Sequence, residues 1–304
     1  MAVHIRNNFG DFFLDMLAGI DEVYHQAKDF DETNAAYKKL FAQRSSERSF
    51  ENRTGVSGFG TFNNVSELED VPLMNTAQLF DKKFTHLKWA GAWQVSEEMT
   101  DDDNFEIVSG FARAFARSMR FTKEVNCSNV FNNATTTETS ADGSAIGATH
   151  TLYSGATIAN NVSTDFGVAA AQAMFNHYAT LTDDRGIRIR LKPKYIVANP
   201  AMRWVIEETM KSSQKPFSAT NEINELSNED LTSIYWAEIT DTDAWYVSSD
   251  PNDLNGNGLV LYNRQDFTTS RDFDVRNLSA ISVGRARWSR GCTDCRQLYV
   301  SVGG

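Results

Sequence analysis

The sequence predicts an α+β fold, with helical and strand-forming blocks segregated along the chain. Three observations carry that prediction. Apolar residues recur at helical spacing over residues 9–24 and 105–131. Residues 49–96 instead alternate polar with apolar and are interrupted by glycines, as kinked strands are. Residues 193–211 run from a short apolar strand through an Asn-Pro start signal into an amphipathic helix.

The elements follow in order. Phe9, Phe12, Phe13, Met16, Leu17, Ile20, Val23 and Tyr24 form one helical stripe, and Asp11, Asp15, Asp21 and Glu22 fall off it. A shorter helix is expected over 32–43, carrying Ala36, Leu40 and Phe41. Residues 1–48 therefore read as a helical arm. Its apolar stripe must dock, either on its own body or on a neighbouring subunit.

Residues 49–96 read as one long β-hairpin. Its polar tip carries Glu67, Glu69, Asp70 and Pro72. On the return strand Leu87, Trp89, Trp93 and Val95 share one face, and His86, Lys88 and Gln94 the other. A two-stranded hairpin is marginally stable alone, so it must lie on something else.

Asp101 to Asp103 cap a helix over 103–131, where negative charge suits the positive end of the helix dipole. At 1.5 Å per residue this rod is roughly 40 Å long. Phe105, Val108, Phe111, Ala112, Phe115 and Met119 form its buried stripe. Arg113, Arg117 and Arg120, at steps of four and three, share an exposed face.

Residues 132–164 are poor in charge and read as a loop-like crossing. A helix over 165–181 buries Ala171, Met174, Phe175, Tyr178 and Leu181. The segment RIRLK alternates as a strand with Arg185, Arg188, Arg190, Lys192 and Lys194 on a solvated face. Then comes a buried strand, Asn199 as N-cap and Pro200 at the first helical position. Residues 212–230 read as polar loop. Strands are expected near 231–239, 244–248 and 258–263 and across the last forty residues.

The chain has 304 residues, 29 Lys plus Arg and 40 Asp plus Glu, for a net charge of −11. An acidic chain is poorly suited to gripping DNA phosphates as its main task. Twenty Phe, nine Tyr and six Trp argue against intrinsic disorder. No run of about eighteen apolar residues exists, so no membrane span is expected. Asp11 and Asp15 break the N-terminal apolar run, so no signal peptide is expected, and the three cysteines should be reduced thiols. The charge is uneven. Residues 260–304 hold seven Arg, four Asp and no Lys, which makes them +3 against −14 for the rest. Arginine forms fixed, bidentate carboxylate pairs, so this asymmetry points to subunit contacts.

Chemistry-bearing motifs fail one by one. Cys292-Thr-Asp-Cys295 has functional spacing, but a zinc site needs two more ligands, and Cys127 and the nearest histidines are far upstream. The pair reads as turn residues. Asp253, Asn255, Asn257 and Gly258 match half a calcium loop, but its twelfth position is Arg264, a cation. His86 and His177 read as surface or packing residues. Phosphate-loop, dinucleotide, nucleophile-elbow and zinc-protease signatures are absent. No catalytic, cofactor-binding or metal residue is assigned.

The order of elements resembles the major capsid proteins of tailed phages, the Hong Kong-97 fold, and is most similar to Mu-like major head subunits. Four segments in the family's order carry the resemblance: GAWQVSEEMTDDDNFEIVSGFARAFARSM; DGSAIGATHTLYSG with Asp142-Gly143 and His150; KPKYIVANPAMRWVIEETMKS; and TDAWYVSSD followed by GLVLYN. The likeness covers roughly residues 45–304. It implies an N-arm over 1–48 and an extended E-loop over 49–92. It implies a peripheral (P) domain from 93–149 and 261–304 with spine helix 103–131, and an axial (A) domain over 150–260. It also implies a shell of hexamers and pentamers, located in the virion and assembled in the host cytoplasm. The implied partners are a scaffold protein, a portal at one vertex, decoration proteins and non-specifically contacted double-stranded DNA, with no membrane. No motif maps the covalent cross-link of the type member onto Lys82, Lys83 or Lys88, so none is expected.

On this reading the arm stripe, with Phe12, Phe13, Met16 and Leu17, lies on neighbours. The tip acids Glu67, Glu69 and Asp70 pair with Arg113, Arg117 and Arg120 of an adjacent spine. Three alternatives compete. An encapsulin-like nanocompartment shares the fold but packages enzymes. A thiol- or metal-dependent enzyme would use Cys292 and Cys295. A tail or receptor-binding protein would be richer in strands and lack the long helix.

Overall fold

The computed structural model of the chain describes residues 35–96, 98–99, 105–216, 222–274 and 276–304. The arm helix expected at 9–24, with Phe12, Phe13, Met16 and Leu17, and the cap at Asp101 to Asp103 lie outside these residues. In order come α1 (Ala36–Leu40), β1 (Ala42–Ser45), β2 (Phe50–Val56), β3 (Gln78–Thr85), β4 (Leu87–Ser96) and the long helix α2 (Phe105–Asn132). Short strands β5 (Thr149–Thr151), β6 (Thr157–Ala159) and β7 (Asn161–Val162) precede α3 (Val168–Thr180), β8 (Pro193–Ala198) and α4 (Arg203–Lys211). The chain closes with β9 (Thr232–Tyr235), β10 (Trp245–Ser249), β11 (Leu259–Asp274), β12 (Ser279–Cys292) and β13 (Leu298–Ser301). Two compact units result: one holds His86–Asn126 and Asn263–Trp288, the other Ala36–Thr85, Cys127–Tyr262 and Ser289–Gly304.

In the first unit β4 pairs antiparallel with β12, from Ser96 opposite Ser279 to Leu87 opposite Trp288. β12 in turn lies beside β11. Gly91 and Gly284 face each other across the β4–β12 ladder. A Cβ on Gly284 would stand 2.6 Å from Cε1 of Phe115, and one on Gly91 3.2 Å from its Cε2. The two glycines thus open a slot in the sheet for the Phe115 ring of α2. Phe115 also meets Phe267 of β11 edge to face, with centroids 5.9 Å apart. On the same sheet Trp89 and Trp288 stack at 5.2 Å and 8°.

The second unit is built on a mixed five-stranded sheet in the order β7-β13-β10-β8-β9. β10 is central and all five of its residues are buried, as expected for a strand covered on both faces. Its side chains alternate. Trp245 and Val247 join the core formed by Ala171, Met174 and Tyr178 of α3 and Ile206 of α4. Tyr246 points the other way, onto Phe131 at the end of α2, with centroids 5.4 Å apart. Asn199 caps the turn after β8 as expected: its Oδ1 accepts from the Ala201 amide at 2.9 Å, and its amide donates to the Ile239 carbonyl.

Several expectations are corrected. The helix expected over 32–43 stops at Leu40, because Ala42–Ser45 form a strand beside β11. The 49–96 segment is not one hairpin: β2 pairs with β3 only as far as Thr85, and 87–96 turns to β12 instead. His86 is buried rather than on a polar face, and Leu87 is exposed. Phe111, assigned to the buried stripe, is also exposed, although its ring edge reaches Trp93. The crossing at 132–164 contains β5, β6 and β7. RIRLK is not a strand. A turn with Gly186 at φ 86° and Arg190 at φ 58° bends it out of extended geometry, and β8 starts only at Pro193.

Candidate assembly interface

The β2–β3 ribbon is two-faced because its side chains alternate. Its inner face carries Phe84, buried with its ring 5.2 Å from that of Tyr262, and Arg53, which donates to the Tyr262 hydroxyl. Its outer face exposes Phe50 and Val56, and Phe80, where the ladder becomes irregular, is exposed as well. Beyond Val56 the ladder stops, and residues 57–77 form an open tip. The tip is apolar as well as acidic: Phe62 is 89% exposed and Leu73 94%. Glu67, Glu69 and Asp70 are all exposed there. The Glu69 carboxylate accepts from the Ser66 amide at 2.9 Å, which fixes a turn around Leu68 at φ 69°. Sequence reading found the acids but took the tip as merely polar, missing its phenylalanines and leucines.

Arg113 and Arg117 stand in solvent on α2, whereas Arg120 is half-buried, so the three do not share one open face. Phe121, one residue further, is exposed. The tip acids belong to the second unit and the arginines to the first.

A buried polar network ties the base of the ribbon to its unit. Lys82 of β3 donates to the carbonyl and the hydroxyl of Thr139, both at 2.8 Å. Burial lowers the Lys82 pKa against the pull of nearby carboxylates. Next to Thr139, Glu138 pairs with Arg290 at 2.5 Å. Asp142 lies 2.7 Å from Nδ1 of His150, and the Ile146 carbonyl lies 3.0 Å from Nε2. Burial works to lower the His150 pKa, but the Asp142 and Ile146 hydrogen bonds overcome it and hold it above its ordinary value. Burial works to raise the Asp142 pKa, and the His150 hydrogen bond overcomes it, so the carboxyl is held below the usual range. Asp294 lies half-buried beside Arg296, which pairs with Asp184 at 2.8 Å. Only the Asp142–His150 spacing was visible in the sequence, and nothing there showed that the two would meet.

Cys292 and Cys295 are buried, and Cys292 points its Sγ at the Asp294 carbonyl, 3.2 Å away. Burial pushes both thiols well above the ordinary cysteine range, and the Asp294 charge adds to this. Neither supplies a thiolate at neutral pH, the form that nucleophilic and metal chemistry needs. Among the described residues no three His, Cys, Asp or Glu side chains converge as a metal site. Among them, too, no helix is long and apolar enough to cross a membrane.

A long helix laid on a sheet, a mixed sheet with two helices and a projecting two-stranded arm define the capsid fold of tailed phages. Solved structures share it. A chain of Mycobacterium phage Patience matches with a TM-score of 0.60 at 10% identity, over 94% of this chain and 88% of that one. The capsid of the cyanophage P-SCSP1u matches with a TM-score of 0.58 at 10% identity, over 89% and 88%. The capsid of the native GTA particle gives 0.57 at 13% identity, over 88% and 89%. No curated protein matches the chain in sequence. The family model described as phage capsid protein matches residues 81–291, more than half of the chain. The chain belongs to that family, and its function is that of a major capsid protein of the virion shell, a structural protein and not an enzyme. The thiol-enzyme and tail-fibre alternatives are set aside accordingly.

Proposed function

We propose that this chain builds the icosahedral head of a tailed, double-stranded DNA phage as pentamers and hexamers. The observation that carries the proposal is the β2–β3 arm. Its tip presents Phe59, Phe62, Leu68 and Leu73 to solvent, a costly arrangement for a lone subunit and a useful one where a neighbour covers them. In this reading residues 1–48 are the N-arm and 49–92 the E-loop. Residues 93–149 with 261–304 form the P domain, and 150–260 the A domain, with Mu-like head subunits as the nearest kin. Glu67, Glu69 and Asp70 pair with Arg113, Arg117 and Arg120 of a neighbouring copy, and the arm residues Phe12, Phe13, Met16 and Leu17 dock on a neighbour. A scaffold protein guides assembly in the host cytoplasm, a portal occupies one vertex, decoration proteins bind outside, and DNA is held by enclosure. The net charge of −11 supports enclosure over tight phosphate binding.

The test is negative-stain microscopy of the chain co-expressed with its scaffold, where closed shells are expected. Particles purified from infected cells should show the absorbance ratio of nucleic acid, which an enzyme-filled nanocompartment would lack. Failure to form shells with the scaffold present would overturn the proposal.

A further inference from the structure

The strand ladder of the arm ends at a neck that closes on itself. The Ser57 amide donates to the Ala77 carbonyl at 2.8 Å, and the Ala77 amide donates back to Ser57 Oγ at 2.9 Å. Ser57 is fully buried there. One side chain from elsewhere in the unit reaches across this neck. Nη2 of Arg185 donates to Ser57 Oγ at 3.2 Å and to the Asn75 carbonyl at 2.8 Å, and its Nε donates to the Gly58 carbonyl at 3.2 Å. A single planar guanidinium thus grips both legs of the arm where pairing stops. Its carbon also sits 5.2 Å from the Tyr153 ring centroid.

Arg185 is itself held firmly. Asp183 Oδ1 accepts from the amides of Arg185 and Ile187, each at 2.8 Å, and the Asp183 amide donates to the Ile187 carbonyl. Gly186 takes φ 86°, which this tight turn requires. Asp184 locks the turn to Arg296. The ribbon is tied along its body through Lys82 to Thr139 and through Arg53 and Phe84 to Tyr262, and at its neck through Arg185.

We infer that Arg185 is a positioning residue for assembly: it sets the direction in which the arm presents its apolar tip to the next copy. The inference rests on the capsid reading and goes beyond it by naming the residue that aims the arm. The body contacts hold one end of the ribbon, and Arg185 adds the hold at the other end, next to the tip. Lysine carries the charge but not the rigid fork that spans both legs, so it cannot replace arginine here.

The test has two arms. Hydrogen exchange is read at the Ser57 and Ala77 amides in unassembled subunits of the full chain, for the wild type, Arg185→Ala and Arg185→Lys. Both variants should exchange about tenfold or more faster at these amides, with β8 and β10 unchanged. In assembly with the scaffold, both should give open or misshapen particles where the wild type gives closed shells. Wild-type exchange in the variants would overturn the clamp. Faster exchange with normal closed shells would overturn the positioning role. If Arg185→Ala does not fold, Arg185→Lys decides both. If the wild type itself makes no shells, the capsid reading fails, and exchange alone decides whether Arg185 holds the neck.

Discussion

Gly91 and Gly284 stand opposite each other in the β4–β12 ladder, and the Phe115 ring of the long helix occupies the space that two Cβ atoms would fill. Gly284→Ala would place a Cβ 2.3 Å from Cζ of Phe267 and 2.6 Å from Cε1 of Phe115. Overpacking of this kind costs about 1–3 kcal/mol. A lower thermal midpoint is expected. Gly110 lies in the same helix with nothing within 4 Å of its added Cβ, so Gly110→Ala should stabilise by about 0.5–1 kcal/mol. Equal midpoints for the two variants would sink the slot.

His150 has an acceptor at each ring nitrogen, the Asp142 carboxylate and the Ile146 carbonyl, so the geometry calls for the imidazolium. Its folded pKa is raised above the unfolded value of about 6.5. The stability it contributes is therefore complete below that value and lost as pH rises through the folded pKa. Asp142, with a depressed folded pKa, contributes above its unfolded value and is lost as pH falls through the folded one. Lys82 and Asp294 also face this pair and belong to the same titration. Denaturant unfolding of subunits from pH 5 to 9 should show falling stability on the alkaline side. Asp142→Asn should flatten that slope and cost about 1–3 kcal/mol near neutrality. A slope that survives Asp142→Asn would assign the effect elsewhere.

The buried thiols of Cys292 and Cys295 should resist labelling at pH 8 in native subunits and react only on unfolding. Alanine at both positions should still permit shells, while lowering subunit stability by about 1–3 kcal/mol through lost packing. Rapid native labelling would contradict the burial of the pair.

Reversing Glu67, Glu69 and Asp70 to lysine should block or slow assembly, and reversing Arg113, Arg117 and Arg120 as well should restore it. Exposed pairs are worth about 0.2–1 kcal/mol each, so the effect accumulates over the many copies of a shell and weakens with added salt. Arg120, half-buried, should contribute least. Normal assembly of the acid-reversed chain would refute the pairing.

What could be read from the sequence was set by how local each signal is. The long helix α2 and the Asn199-Pro200 start depend on neighbours within one or two turns, and both are found, although Phe111 of the expected stripe is exposed. RIRLK misled because alternation is shared by strands and by a turn, and nothing in the letters marks Arg190 for φ 58°. The switch of residues 87–96 from ribbon to body sheet depends on β12, a distant partner whose own pattern fits either choice. The Arg185 grip was invisible for the same reason. A basic cluster looked like a solvated face, but one member turns to a neck more than a hundred residues away.

The open tip between Ser57 and Ala77 has no ladder to hold its backbone, and its phenylalanines and leucines are the residues that many endopeptidases seek. If a neighbour covers the tip as proposed, subunits outside a shell carry this cleavable stretch in view and subunits built into one do not. On that reading the arm that joins copies is also the stretch a protease would reach first in a free subunit. Limited proteolysis should then cut unassembled chain within 57–77 before it cuts assembled shells, and equal cleavage of the two would show that the tip stays open in the shell.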